Sequence, residues 1–388
     1  MSPSESRSHR LVLGVTGLAS VGTGVFWFCT AFIAHHGYGF SQLGNLLLHA
    51  ALGFVYMLGS AGAHRLTVAI EHRIHPKALM LSLLAGQAGS ALLPVVFDGL
   101  WAFWTAALTV SLLSSFLWPV VEAYLTGRRT GAELRRATFQ FNLVWMSTTM
   151  VPMFVLAPWM EENARRSLLL LTVASGLSMF CAVGLGSSPA PHAHGQAPVP
   201  SARYRALLRS CQSLLPASYL LLSVVGPLMP YRLERLGIDV ERQLPLTATW
   251  MVARLACTWF MGRHKGWHGQ WSTLLLAATT LVLGFAGVLL APSLPGLLAA
   301  MVLFGVGLGL VYNAGLYYAL SVGGGAVEAG GTHEALIGLG YGLGPMIGYF
   351  GWRMGGTEQV VLLAFAALGV AVYGASLPWR RERAAARG

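Results

Sequence analysis

Twelve apolar stretches, each about as long as a bilayer-spanning helix, fill this chain. A bilayer core takes roughly 20 apolar residues per helix, so twelve use about 240 residues. In a chain of 388 that leaves loops and tails, with no room for a soluble domain. The stretches read as helices at 11–34, 42–63, 77–97, 100–125, 138–158, 167–186, 207–230, 244–262, 271–291, 295–320, 333–353 and 358–378. Backbone polar groups in lipid must be satisfied within the segment itself, so the pattern predicts an all-α membrane protein.

Charge agrees with this and sets an orientation. Only 10% of residues are charged, against about 25% in soluble domains. The net charge of +11 invites a nucleic-acid reading, but its distribution argues otherwise. Of 25 Lys and Arg, 18 fall in alternate loops and the two tails, six fall on the other side, and Arg254 lies inside a stretch. That is the positive-inside bias, with basic flanks meeting anionic lipid headgroups. It predicts both termini in the cytoplasm, as in a bacterial inner-membrane protein, and no nucleic-acid partner. The first stretch, Leu11 to Ala34, reads as an uncleaved helix because it exceeds a signal-peptide apolar region.

Soluble-enzyme chemistry finds no motif here. There is no HExxH, GxSxG or Walker loop. The cysteines Cys29, Cys181, Cys211 and Cys257 lie in or beside apolar stretches without a CxxC pair, and read as small buried hydrophobes. His35 and His36 read as an interfacial pair. No catalytic residue, metal or cofactor is expected.

Residues 187–205, SSPAPHAHGQAPVPSARYR, lack an apolar period and are rich in Pro, Ala and Ser. They read as a cytoplasmic linker between 1–186 and 206–388, each with six helices. The halves share weak similarity. After the second stretch comes Glu71-His72-Arg73-Ile74-His75-Pro76-Lys77, and after the eighth comes Gly262-Arg263-His264-Lys265-Gly266. The eleventh holds Gly340-Tyr341-Gly342-Leu343-Gly344-Pro345-Met346-Ile347-Gly348.

Over nearly its whole length the chain resembles the major facilitator superfamily. Arg73 and Lys77 match its basic loop signature G-x-x-x-D-R-x-G-R-K in part, with His72 for Asp and His75 for Gly. Arg263 and Lys265 form the second copy. Gly340, Gly344, Pro345 and Gly348 look like the family's G-x-x-x-G-P-x-x-G motif, displaced from the fifth helix to the eleventh. The resemblance implies twelve transmembrane helices in two pseudo-symmetric six-helix bundles. It also implies secondary transport of a small organic solute by alternating access, with the basic loops as gate contacts. Rival readings are a lipid-acting membrane enzyme, which would need clustered His, Asp or Ser at one face, and a transporter-like receptor or assembly protein.

Polar groups at membrane depth are the candidate site, because burying them in lipid is costly. Asn45 and His49 share one helix face at i, i+4, as do Asn313 and Tyr317. Asn142, Trp250 and Arg254 join them as candidates for lining a substrate cavity. Arg254 could hold an anionic group. Scarce buried charge favours a neutral or weakly polar solute over a polyanion. Glu122, one turn from the end of the fourth stretch, is the candidate for proton coupling. Three equally spaced glycines around Pro345 suit close helix packing or a gating bend. Thr332 reads as the cap of the eleventh helix, with Glu334 in its first turn. The protein is expected to work as a monomer whose partners are a small solute, lipids and protons.

Overall fold

The computed structural model describes residues 3–70, 73–129, 131–190, 201–322 and 327–385. Among them every regular element is helical. The described residues include twelve long helices: α1 (Pro3–Gly24), α2 (Gln42–Ile70), α3 (Pro76–Val96), α4 (Leu100–Thr126), α5 (Gly131–Thr149), α6 (Leu168–Val183), α7 (Ala202–Arg235), α8 (Thr249–Arg263), α9 (Trp271–Leu290), α10 (Leu294–Val322), α11 (Val327–Gly355) and α12 (Thr357–Ala385). Nine segments of the described residues are long and apolar enough to cross a membrane. This is an integral membrane protein.

Several boundaries differ from the sequence reading, each for a local reason. The helical path of α1 runs on to Gly37 through π-helical segments at Val25–Cys29 and Ile33–Gly37. The Thr30 hydroxyl spans the wider first turn to the Val25 carbonyl at 3.4 Å. The expected helix at 138–158 instead starts at Gly131, ends at Thr149 and resumes as Val151–Val155. Pro152 in the first turn of that piece has no N–H to continue the ladder. The helix expected at 244–262 is split into Val240–Thr247, which contains Pro245, and α8.

Helix α11 begins at Val327. Thr332 therefore lies inside it and is not its cap, and Glu334 sits beyond the first turn. Residues Ala202 to Arg205 of the expected linker already belong to α7, where Ser201 accepts from the Tyr204 N–H at 3.2 Å as N-cap. Positions 191–200, with His192 and His194, lie outside the described residues, as does His72.

The chain forms two compact units. The first comprises Met1–Ser41, Phe54–His194 and Asp239–Pro245. Its core is aliphatic, with Val12, Val15, Met80, Leu84 and Val121 sealed from solvent, and Trp118 edge-on to Phe141 at 6.2 Å. The second comprises Gln42–Gly53, Gly195–Ile238 and Leu246–Gly388.

Glycines hold the helices of the second unit together. A Cβ at Gly305 would overlap the Trp250 carbonyl, and one at Gly309 would meet the Cys257 Cβ at 2.9 Å. One at Gly340 would lie 2.6 Å from the Pro216 carbonyl oxygen, and one at Gly344 would overlap the Leu220 carbonyl and the Ser223 hydroxyl. Lipid tails are as apolar as Leu, so helices in a membrane associate through such close approach and buried hydrogen bonds. The Ser223 hydroxyl supplies one, donating to the Gly340 carbonyl at 3.0 Å. Helix α11 passes through Pro345 without interruption, and Gly340 and Gly344 of the motif pack against α7 while Gly348 faces Leu46 of α2.

Candidate functional site

The strongest concentration of buried polarity in the second unit surrounds Arg254. Its helix, α8, presents Trp250, Arg254 and Thr258 at four-residue spacing, the repeat of one helix face. Trp250, Arg254 and Thr258 are all buried. Gly305 and Gly309 bring α10 against that face. Asn313, one turn further along α10, donates to the Thr258 hydroxyl at 2.8 Å and to the Gly309 carbonyl at 2.6 Å. Thr258 in turn donates to the Arg254 carbonyl at 3.0 Å.

Arg254 is 1% exposed. Its Nη2 donates to the Tyr219 hydroxyl of α7 at 2.8 Å. The guanidinium carbon lies 4.7 Å from the ring centre of Tyr312 on α10 and 5.5 Å from that of Tyr219. A buried guanidinium keeps its charge, and electron-rich ring faces are among the few uncharged groups that stabilise it. Tyr341 of α11 stands edge-on to Tyr219, ring centres 5.3 Å apart. That approach depends on the neighbouring Gly340, which seats α11 on the backbone at Pro216 and Leu220. Glu334 lies seven residues, two helical turns, before Tyr341 on α11.

The first turns of α2 carry a second polar group in the same unit. Asn45 is fully buried, and its amide donates to the Tyr231 hydroxyl at 3.1 Å. His49 stacks one turn on, with Nδ1 2.9 Å from the Asn45 carbonyl. One further turn on, a Cβ at Gly53 would overlap the Tyr341 carbonyl. Asn45, His49, Trp250, Arg254 and Asn313 therefore belong to one compact unit. Asn142 is buried on α5 in the other.

Tyr317 has a different setting. Its ring stacks on His268 at 4.2 Å, its hydroxyl lies 3.2 Å from His268 Nδ1, and Tyr204 Oη is 3.4 Å away. With Trp267 and Tyr318 these rings tie the loop after α8 to α7 and α10. The sequence reading missed Tyr219, Tyr231, Tyr312, Tyr341 and Glu334. One signal was available: Glu334 and Tyr341 are two turns apart on one face, with glycines around the tyrosine.

No family model and no curated protein matches the chain. Solved structures do. The nucleoside transporter NupG superimposes with a TM-score of 0.65 at 12% identity, covering 96% of this chain and 98% of that one. The human organic anion transporter MFSD10 gives 0.67 at 15% identity, covering 96% and 100%. A POT family transporter in complex with 5-aminolevulinic acid gives 0.70 at 12% identity, covering 95% of each chain. The fold is that of the major facilitator superfamily. Its twelve helices are α1 to α12.

Within this major facilitator fold the basic residues after the second and eighth helices take specific places. The Lys77 ammonium donates to the Leu185 carbonyl at 3.1 Å and reaches the Val183 carbonyl at 3.5 Å. Tyr124 donates to the Gly186 carbonyl at 2.9 Å. Together they satisfy the end of α6, where a cation also meets the negative pole of the helix dipole. Arg73 is exposed in the turn before α3. Arg263, in the last turn of α8, stacks its guanidinium 4.0 Å from the Trp259 ring centre, and Lys265 is exposed beyond it. Glu122 is half-buried one turn before the end of α4, where Arg129 donates to the Leu125 carbonyl. Among the described residues no group of three His, Cys, Asp or Glu could hold a metal.

Proposed function

We propose that the protein is a secondary transporter that moves a small organic solute across the membrane by alternating access. The observation that carries this reading is Arg254, a fully buried guanidinium on α8 held by Tyr219 and Tyr312 in a major facilitator fold. Ionisable residues inside spanning helices are costly and mark solute or ion pathways. A fixed positive charge among phenols can meet a carboxylate, carbonyl or other electron-rich group. The substrate site is assigned to Arg254, Trp250, Asn313, Asn45 and His49, which share one compact unit.

Similar solved structures are transporters of a nucleoside and of organic anions, and one holds 5-aminolevulinic acid. These ligand classes suggest a first panel. Uptake into proteoliposomes is measured for uridine, 5-aminolevulinic acid, a dipeptide and a small organic anion, with and without a pH gradient. Protein-dependent, saturable uptake of at least one solute supports the proposal. Leak-level uptake of all of them in both directions refutes it.

Glu122 is proposed as the proton-coupling carboxylate. A carboxylate that is desolvated in one state and hydrated in the other binds and releases a proton as the states exchange. Glu122→Gln is expected to abolish pH-driven accumulation while sparing exchange at equal concentrations. Wild-type accumulation by the variant would make Glu122 structural.

Both termini and the 187–205 segment are proposed to face the cytoplasm of a bacterial cell, on the charge asymmetry. Gly195→Cys and Ala385→Cys should resist a membrane-impermeant maleimide applied to intact cells. Labelling at either position would reverse the orientation.

A further inference from the structure

We infer that His49 is the hydrogen-bond acceptor of the solute site, its Nε2 lone pair taking an N–H or O–H donor of the transported molecule. This rests on the transport reading and names what the solute must present. His49 is 5% exposed, two turns into the apolar part of α2. Its Nδ1 lies 2.9 Å from the Asn45 carbonyl. A carbonyl oxygen only accepts, so the imidazole proton of the neutral ring sits on Nδ1. Nε2 is then a bare lone pair, and among the described residues no protein donor reaches it.

Charging the ring does not resolve this. An imidazolium would place an ion at membrane depth and turn Nε2 into a buried donor that needs an acceptor. Buried acceptors in native proteins are nearly always matched. A position needed only for packing would be better filled by Leu or Phe, which carry no such atom. A polar ring that lowers stability where it stands fits a binding role.

The surroundings indicate the rest of the ligand. One turn before His49, Asn45 is bonded to Tyr231. One turn after it, Gly53 abuts the Tyr341 backbone. The Tyr341 ring stands against Tyr219, which holds Arg254. Helix α11 thus meets the imidazole-bearing helix on its backbone and the arginine group through its ring. A lone-pair acceptor and a fixed cation in one compact unit match a small polar molecule with a hydroxyl or amino donor at one end and a carbonyl or carboxylate at the other.

Two measurements test this on the full-length protein. The first is 15N NMR of histidine-labelled protein in nanodiscs, with the His49 signal identified by its loss in His49→Gln. A neutral ring protonated on Nδ1 is expected, its Nε2 resonance moving upfield when a transported panel solute such as uridine or 5-aminolevulinic acid is added. A ring protonated on Nε2 overturns the inference, as does an Nε2 resonance unmoved by a solute that is transported.

The second pairs stability with uptake in His49→Leu. A melting temperature at or above wild type is expected, with at least about a tenfold loss of uptake, equivalent to roughly 1.4 kcal/mol. His49→Gln, whose amide oxygen is an acceptor at a similar reach, should recover much of that uptake. A lower melting temperature in His49→Leu, or unchanged uptake, makes His49 a packing residue and overturns the inference. If wild type transports no panel solute, the transport reading fails. The tautomer and the melting temperature still decide the role of His49.

Discussion

Arg254→Lys is expected to lower solute uptake on the order of 100-fold while the protein still folds. The guanidinium is used in two ways that an ammonium cannot reproduce together. It donates edge-on to Tyr219 at 2.8 Å and lies over Tyr312 at 4.7 Å. A hydrogen bond from a charged group contributes about 1.5–3 kcal/mol, and a desolvated cation–π contact up to about 2 kcal/mol. Losing a good part of both amounts to roughly 2–4 kcal/mol, and tenfold corresponds to about 1.4 kcal/mol. A buried lysine also sheds its proton readily, whereas arginine does not. Uptake in proteoliposomes, normalised to folded protein by gel filtration, measures the effect. If Arg254→Lys transports within threefold of wild type, the arginine serves only to join α8 to α7 and α10.

Gly344→Val is expected to damage the fold more than any conservative change at the polar site. Its Cβ would overlap the Leu220 carbonyl and the Ser223 hydroxyl. Relief requires α7 and α11 to separate, since the nearest clashing atoms include backbone. Overpacking typically costs about 1–3 kcal/mol, with more where backbone must move. For a large chain about 3 kcal/mol corresponds to a fall of roughly 6–12 °C in melting temperature. Separation would also withdraw Tyr341 from Tyr219, so uptake should fall with stability. Gly226→Ala is the control: Gly226 lies on α7, and a Cβ there meets nothing within 4 Å. It should leave the melting temperature unchanged or slightly raise it, because alanine favours the helix. A Gly344→Val variant as stable as Gly226→Ala would show that α7 and α11 are not held by this contact.

The architecture was legible in the sequence because the membrane imposes one strong rule. Segments that must satisfy their own backbone and face lipid announce themselves by length and apolarity. Helix α9 was expected at 271–291 and is found at Trp271–Leu290, and α10 was expected at 295–320 and is found at Leu294–Val322. The errors fall where local chemistry interrupts that rule. Pro152 and Pro245 lie in short pieces that break off from their helices. The π-helical segments of α1 leave no mark in hydropathy.

Residue types at membrane depth were also readable, and Asn45, His49, Asn142, Trp250 and Arg254 are all buried. Their partners were not. Tyr219, Tyr231, Tyr312 and Tyr341 lie far from Arg254 and Asn45 in sequence, and a tyrosine in an apolar helix carries no signal of which neighbour its hydroxyl meets. What the sequence determined by itself is the solvent this chain lives in, the number and length of its helices, and which of their positions are too polar for lipid. Only the tertiary structure decided that Gly340 and Gly344 are an interface, that Tyr317 sits with His268, and that Arg254 is caged by phenols. The physical reason is the range of the forces: burial in lipid acts on each helix separately, while glycine contacts and buried hydrogen bonds exist only once specific helices meet.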